Sequence, residues 1–262
     1  MSPRPFKGFM ASAFVLAMTA AACGGGSQEQ AAPAGEMSGA PAETAIDPAT
    51  AGNITGMIAL EGTAPPAEAI KMNADPICLR EGKGQTTEFF VTGTGGGLGN
   101  VFVHVKSGLG DRTFDAPTTP VVLDQHGCHY VPHVFGIQAG QPLEILNSDP
   151  TLHNIHALPK QNQEFNTGQP VKGMRTKQTF STPEVMVPFK CDVHGWMNAY
   201  AGVLSHPFYA VSTQDGKFEI KGLPPGTYEI EAWHEKLGPM TQSVTIGSQE
   251  TKEANFTFKM PS

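Results

Sequence analysis

Three candidate metal ligands lie within seven residues, in a loop between two runs of residues typical of β-strands. Cys191, His194 and Met197 follow the spacing C-x2-H-x2-M between the runs at residues 184–189 and 199–204. A thiolate, an imidazole and a thioether form a soft ligand set that favours copper, and two His, one Cys and a weak axial Met are typical of a blue-copper site. The loop supplies only one His, so the chain must fold to bring a second one to it.

The best candidate for this second His is His153, in the segment that runs from Asp149 to His156. The alternatives to a copper loop are a Cys that acts as a small buried hydrophobe, a Met that fills the core, and a structural zinc site. A zinc site would need further Cys or His at short spacing, and none follows Cys191. The ligand types therefore indicate copper.

Short apolar runs at strand-like spacing recur from residue 54 to residue 258, and no long stretch has apolar residues at helical spacing. The runs are residues 54–60, 88–92, 101–106, 121–123, 134–137, 143–146, 155–158, 185–189, 202–204, 209–212, 218–220, 228–232, 242–246 and 253–258. The 30 Gly and 22 Pro of the chain provide turns between them. The pattern predicts an all-β protein made of sandwiches or barrels, with one short helical turn near residues 67–71 or 76–81.

The N-terminus has the pattern of a targeting segment. Arg4 and Lys7 precede an apolar run at residues 9–22, which is too short to span a membrane. Small residues before Cys23 resemble a bacterial lipoprotein cleavage site, although Ala20 stands where Leu is usual. We therefore predict a lipoprotein signal peptide at residues 1–23, lipidation of Cys23 and a periplasmic protein anchored to the membrane. The alternative is an ordinary signal peptide cleaved at a nearby Ala-x-Ala.

Residues 24–52 have the composition of a flexible linker. They are rich in Ala, Gly, Ser, Pro, Gln and Glu, with few large apolar residues. Such a segment buries too little surface to offset its ordering entropy, so it is predicted to be disordered. The chain has a formal net charge of −7, and loss of Arg4 and Lys7 with the leader would make it more acidic. An acidic chain without a basic patch argues against nucleic-acid binding.

The remaining cysteines are Cys78 and Cys128, once Cys23 is assigned to the lipid and Cys191 to the metal. Spare cysteines in an oxidising compartment usually pair, so we predict a Cys78–Cys128 disulfide. Two buried thiols are the alternative.

Residues 131–149 look like the strand pair that precedes the first copper His in cupredoxins. Leu152-His153-Asn154 follows, and then the C-x2-H-x2-M loop, in a combination similar to plastocyanin and most similar to amicyanin. The resemblance implies a Greek-key sandwich with one type 1 copper bound by His153, Cys191, His194 and Met197. It also implies that Asn154 hydrogen-bonds to the Cys-bearing loop. His194, beside Trp196, would reach the surface as the electron port; Trp196 could instead be a packing residue.

Residues 213–232 look like a second family, the carboxypeptidase regulatory or transthyretin-like β-sandwich. The opening strands of that family resemble residues 54–62 and 100–105, which precede the copper segment. We therefore predict a discontinuous transthyretin-like sandwich at residues 53–110 and 207–259, with a cupredoxin domain at residues 111–206 inserted into it. The alternative is one elongated cupredoxin with a separate tail domain.

The other histidines have weaker claims as ligands. His156 lies three residues after His153, so on an extended strand it points to the opposite face. His126, His129 and His133 cluster around Cys128, but no single face of a strand collects three of these ligands. A second metal there is left open. Isolated histidines are predicted to be partly buried and hydrogen-bonded: His104, His206 and His234.

These observations favour a one-electron carrier rather than an enzyme. Multicopper oxidases and copper nitrite reductases contain this motif too, but they need further copper at His-rich sites, and this chain has no H-x-H pair. A module that stores or delivers copper, or only binds a partner, is the other alternative. A carrier implies a small, transient interface with a redox protein, and the acidic chain implies a basic surface on that partner.

Overall fold

The computed structural model describes residues 45–261. The predicted signal peptide, the predicted lipidation site at Cys23 and most of the predicted linker lie outside the described residues. Within residues 45–261, no helix has the length and apolar character needed to cross a membrane.

Short β-strands make up nearly all of the regular secondary structure of the described residues, and the predicted all-β class is confirmed. The one α-helix of the described residues, α1, is Pro76–Glu81, which confirms the second of the two predicted positions. The strands are β1 Gly52–Glu61, β2 Phe102–Ser107, β3 Val121–Gln125, β4 Tyr130–Val131, β5 Val134–Gln138, β6 Pro142–Asn147, β7 His153–Ala157, β8 Phe165–Gln169, β9 Arg175–Thr179, β10 Glu184–Lys190, β11 Asn198–Leu204, β12 Tyr209–Val211, β13 Lys217–Leu223, β14 Gly226–His234, β15 Gly238–Ile246, β16 Thr251–Glu253 and β17 Phe256–Lys259.

Strands β3 to β11 form two sheets around one core, which we call the central sandwich. One sheet has the order β5-β11-β10-β7-β8 and the other β4-β3-β6-β9. Alternation along β6 places Leu143 and Ile145 in the core while their neighbours face outwards. The same core contains Cys191 and Met197 of the predicted copper loop. The candidate ligands therefore lie inside a packed β-structure.

The remaining strands form a second pair of sheets, which we call the terminal sandwich. Its sheets are β12-β2-β14-β15 and β13-β1-β16, with β17 also paired to β1. Strand β1 pairs antiparallel with β13, Ile54 opposite Ile220, and parallel with β17, Ile58 opposite Phe256. Segments from both sides of the central sandwich thus share sheets, as the discontinuous arrangement requires. The likeness of this sandwich to the carboxypeptidase regulatory family stays a prediction.

Two predicted boundaries differ from the structure. The terminal sandwich begins before residue 53, because Ile46 packs on its core and the Thr50 carbonyl accepts from the Gln249 N–H at 3.1 Å. Met72 and Cys78, predicted to lie in the terminal sandwich, are instead buried in the core of the central sandwich. The segment around α1 therefore packs against the copper-loop domain.

The strand predicted at residues 88–92 is not formed; bends and one isolated bridge at Thr92 replace it. Strands β4, β8 and β9 were not predicted from the sequence.

Glycines allow the two sandwiches to approach each other closely. A Cβ on Gly202 would lie 2.2 Å from the Phe102 ring, and one on Gly136 would lie 2.1 Å from the Tyr209 ring. Phe102 also packs in a small separate cluster with Val134 of the central sandwich. Because any larger residue at these glycines would push the aromatic rings away, the contact between β2, β12 and the sheet of β5 and β11 depends on them.

We expect Ile230→Ala in β14 to lower the free energy of unfolding by about 2–5 kcal/mol, because it leaves a cavity in the terminal core. Ile230 is fully buried there. Met240→Ala on the paired strand β15 is the control; Met240 is 37% exposed, so its loss should change stability by only about 0.5 kcal/mol. Urea unfolding of the full chain measures both, and equal losses would contradict the assigned core.

Candidate metal centre

The loop from Cys191 to Met197 is closed by its own backbone. It joins β10 to β11, which pair antiparallel with Lys190 opposite Asn198. The Cys191 N–H donates to the Met197 carbonyl at 3.3 Å, and the Met197 N–H donates to the His194 carbonyl at 2.9 Å. The strand pair thus holds all three loop ligands at one end of the central sandwich.

His153 reaches this loop because of the pairing between β7 and β10. It is the first residue of β7. The two strands run antiparallel with Lys190 opposite His156 and Phe189 opposite Ala157. The N-terminal end of β7 therefore lies beside the chain that continues from Lys190 into the loop, which places His153 against Cys191 and His194.

Three of the predicted ligands meet at one point. The nitrogens Nδ1 of His153 and Nδ1 of His194 are 3.0 Å apart, and the Cys191 Sγ lies 3.9 Å from the same His194 nitrogen. One ligand atom from each of the three residues lies within 4.8 Å of the others. All three side chains are buried, and Met197 is buried in the same core. This is the convergence that a metal ion needs.

The hydrogen bonds on the far sides of both rings show that this point fits a cation. His153 Nε2 lies 3.0 Å from the Asp149 carboxylate, and His194 Nε2 lies 3.2 Å from the Asp75 carboxylate. A carboxylate only accepts, so each Nε2 carries the donated proton, and a ring that is neutral then has its lone pair on Nδ1. Two Nδ1 lone pairs facing each other at 3.0 Å beside a sulfur repel unless a proton or a metal ion lies between them. The donor set fits copper.

The Cys191 sulfur accepts hydrogen bonds from several sides. Backbone N–H groups of His194 and Asn154 donate to it at 3.3 and 3.5 Å. Burial alone would raise the pKa of Cys191, but hydrogen bonds from the His153 and His194 rings and from these N–H groups lower it to about 6. The site therefore favours the thiolate, which is the form that binds a metal.

The first histidine has a raised pKa. Burial would lower the pKa of His153, but its hydrogen bonds to Asp149 and Cys191 raise it above the usual value. Burial would raise the pKa of Asp149, but the hydrogen bond from His153 and those from the N–H groups of Cys128 and Gly127 hold it below the usual carboxyl value. The Asp149 carboxylate is therefore charged at neutral pH.

Asn154 connects β7 to the loop. Its Oδ1 accepts from the N–H groups of Asp192 and Val193 at 2.6 and 3.3 Å, while its own N–H donates to the Cys191 sulfur. These bonds hold the backbone on both sides of Cys191. The structure thus places Asn154 where the cupredoxin resemblance implied.

The expected exposure of His194 is wrong. Its side chain is only 3% exposed, because helix α1 covers it. The Cys78 sulfur lies 3.7 Å from His194 Nε2, and Cys78 is joined to Cys128 by a disulfide. Asp75 caps the N-terminus of α1 through its contacts to the N–H groups of Ile77 and Cys78. The helix is thus fixed directly over the loop histidine.

Trp196 lies beside the covered histidine. Its ring centroid is 5.0 Å from that of His194, and its Nε1 donates to the Cys128 carbonyl at 3.0 Å. Trp196 is partly exposed and also packs against the central core. It therefore packs against the core and also reaches solvent beside His194, so its position is compatible with both roles that the sequence left open.

The remaining histidines near the site are held by other partners. His156 contacts Glu164 and Asp192 at 2.8 and 2.9 Å. His133 contacts Glu235 at 2.6 Å. Within residues 45–261, no cluster of three metal-ligand atoms includes His126, His129 or His133.

The two carboxylates on the ligand rings were not assigned a role from the sequence. Asp149 stands four residues before His153, so the sequence shows that the two residues are close along the chain. It does not show that the Asp149 carboxylate contacts the His153 ring. Asp75 directly precedes Pro76, a pattern typical of a helix N-cap. Its contact to His194 spans 119 residues, and no local pattern predicts that.

No family model matches this chain, and no curated protein matches its sequence. Solved structures similar to part of it include a copper-containing nitrite reductase from Thermus scotoductus, at 24% identity and a TM-score of 0.31 over 34% of this chain. A purple cupredoxin from Nitrosopumilus maritimus is similar at 23% identity and a TM-score of 0.26 over 29% of this chain. A Cu(I) amicyanin variant is similar at 17% identity and a TM-score of 0.30 over 38% of this chain.

The matched part spans 23% of the nitrite reductase, 81% of the purple cupredoxin and 97% of the amicyanin. In the central sandwich itself, two sheets enclose one core, and His153, Cys191, His194 and Met197 lie at one end of it.

In the metal-free protein we expect the ultraviolet absorbance of the Cys191 thiolate to titrate with a midpoint near pH 6, not near the ordinary 9.0. The folded state then favours the thiolate, and this stabilisation is full above the unfolded pKa and lost as the pH falls through the folded one. Unfolding of the wild type relative to Cys191→Ser should therefore become easier as the pH falls from about 9 to 6. A midpoint at the ordinary thiol value would contradict the assigned hydrogen bonds.

Proposed function

We propose that this chain is an exported type 1 copper protein that carries single electrons, with one copper per chain. The observation that supports this most directly is the meeting of His153 Nδ1, His194 Nδ1 and the Cys191 sulfur within 4.8 Å, in a buried site. Met197, which is buried on the same loop, would supply a thioether as a weak fourth ligand.

The bound metal would supply a reversible one-electron change between Cu(I) and Cu(II). The chain supplies a cage that changes little during that step. Its loop is closed by backbone hydrogen bonds, and Asn154 holds the residues on both sides of Cys191. Burial of all three close ligands keeps water from the metal. A rigid, dry site needs little rearrangement when the charge of the metal changes.

Trp196 is the proposed route for the electron. The imidazole of His194 is covered by α1, so a partner cannot contact it directly. The Trp196 ring lies next to that imidazole and is partly exposed. The partner would be a redox protein with a basic surface that binds weakly to this acidic chain, and salt should weaken the association.

Export is proposed from the N-terminal sequence, with residues 1–23 as a signal peptide and Cys23 as the lipidated residue. The Cys78–Cys128 disulfide supports an oxidising compartment such as the periplasm. The lipid would anchor the protein to a membrane through the segment before the first described residue.

Copper-loaded full-length protein should be intensely coloured when oxidised, because charge moves from the Cys191 sulfur to Cu(II). We expect Cys191→Ala to abolish the colour and Met197→Leu to keep it while raising the reduction potential, because the axial ligand tunes that potential. Visible absorption, electron-spin resonance and a redox titration measure these effects. His156→Ala is the control, since His156 bonds to Glu164 and Asp192 and should leave the spectrum unchanged.

A colourless wild type that still binds copper would contradict the carrier proposal. If that protein held Cu(I) and released it without a stable Cu(II) state, storage or delivery of copper would be favoured. More than one copper per chain, together with oxidase or reductase turnover, would favour an enzyme.

A further inference from the structure

Both candidate ligand histidines, His153 and His194, contact a carboxylate through Nε2, the ring nitrogen that faces away from the candidate metal site. The distances are 3.0 Å from His153 Nε2 to Asp149 and 3.2 Å from His194 Nε2 to Asp75. The carboxylates come from different segments and contact different rings. The same arrangement thus occurs at each of the two rings.

The Asp149 carboxylate is held rigidly. It is 2% exposed and accepts from the backbone N–H groups of Gly127 and Cys128 at 2.9 and 2.7 Å. Its Oδ2 accepts from both Cys128 and His153. A buried carboxylate with three donors keeps its charge and its position.

The Asp75 carboxylate is held in a similar way at the opposite ring. Its Oδ1 accepts from the N–H groups of Ile77 and Cys78 at 2.7 and 3.3 Å. Its Oδ2 accepts from the Thr151 hydroxyl at 2.7 Å and from His194. The carboxylate therefore fixes α1 and the ring of His194 at the same time.

The Cys78–Cys128 disulfide links the two segments that hold these carboxylates. Cys78 and Cys128 each donate a backbone N–H to one of the two carboxylates, and their sulfurs are bonded to each other. One covalent link thus ties the helix that presents Asp75 to the turn that holds Asp149.

We propose that Asp75 and Asp149 are positioning residues that keep both imidazoles with Nδ1 towards the copper and that lower its reduction potential by adding two negative charges to the site. This inference rests on the proposed function. A carboxylate on the far nitrogen of a ligand histidine fixes its tautomer and makes it a stronger donor.

The direction of the effect follows from the charges. The Cys191 thiolate and two carboxylates bring three negative charges to one buried region, against two positive charges on Cu(II) and one on Cu(I). Reduction therefore leaves the region with more uncompensated negative charge, and in a buried site this is unfavourable. The two carboxylates thus favour Cu(II).

The test is the reduction potential of copper-loaded Asp75→Asn and Asp149→Asn in the full chain. Asn removes the charge and keeps only one acceptor oxygen. At position 75 that oxygen can still cap α1, because Asn is as good a helix N-cap as Asp, while the His194 ring loses its carboxylate acceptor. Loss of such a partner typically weakens metal binding by about 10–100-fold. A tenfold loss of affinity for Cu(II), with the affinity for Cu(I) unchanged, raises a one-electron potential by about 59 mV.

Glu164→Gln is the matched control. Glu164 contacts the His156 ring at 2.8 Å, so the same exchange is made at a histidine that is not a ligand. We expect it to leave the potential unchanged. The reduced, copper-loaded wild type should also show the Nε2–H tautomer for His153 and His194 in nitrogen NMR spectra.

The outcomes separate the inference from the proposed function. A coloured, folded Asp75→Asn protein whose potential equals that of the wild type would overturn the inference and leave the carrier proposal standing. A wild type without the colour would overturn the carrier proposal itself. If Asp149→Asn does not fold, the reduction potential of Asp75→Asn still decides the question.

Discussion

The pairing of β7 with β10 is the constraint on which the metal centre depends. With Lys190 opposite His156, the start of β7 lies beside the loop that follows β10, and His153 meets Cys191 and His194 there. Both strands are fixed by the same core, which contains Phe189 and Ala157. The candidate ligands are thus brought together by the pairing and packing of the sheet itself. A shift of the pairing by one residue would turn His153 to the other face of the sheet.

The second constraint comes from outside the central sandwich. The segment with Met72 and α1 belongs, by its position in the chain, with the strands of the terminal sandwich, yet it packs on the central core. The Cys78–Cys128 disulfide and Asp75 hold it over His194. In this chain the loop histidine is therefore covered by a helix and supported by a carboxylate. The cover separates the candidate metal site from solvent and moves the proposed electron route to Trp196.

Most of the strands and the candidate ligand set could be predicted from the sequence, for identifiable physical reasons. Apolar runs such as the one in β6 mark strands because alternate residues enter the core. Strand β9, Arg175–Thr179, contains no apolar residue, and β4 has only two residues, so neither had a pattern to detect. The spacing of Cys191, His194 and Met197 indicated the ligand set, and resemblance to cupredoxins supplied His153. The burial of His194 was not predictable, because it depends on contacts to Asp75 and Cys78 across 119 and 116 residues.

X-ray absorption at the copper edge of the oxidised, copper-loaded full chain tests the central claim most directly. The account predicts one copper per chain whose closest shell contains one sulfur, from Cys191, and two imidazole nitrogens, from His153 and His194. Cys191→Ser should remove the sulfur from that shell. A wild-type shell made only of nitrogen and oxygen would contradict the account, because the metal would then be bound somewhere other than this loop.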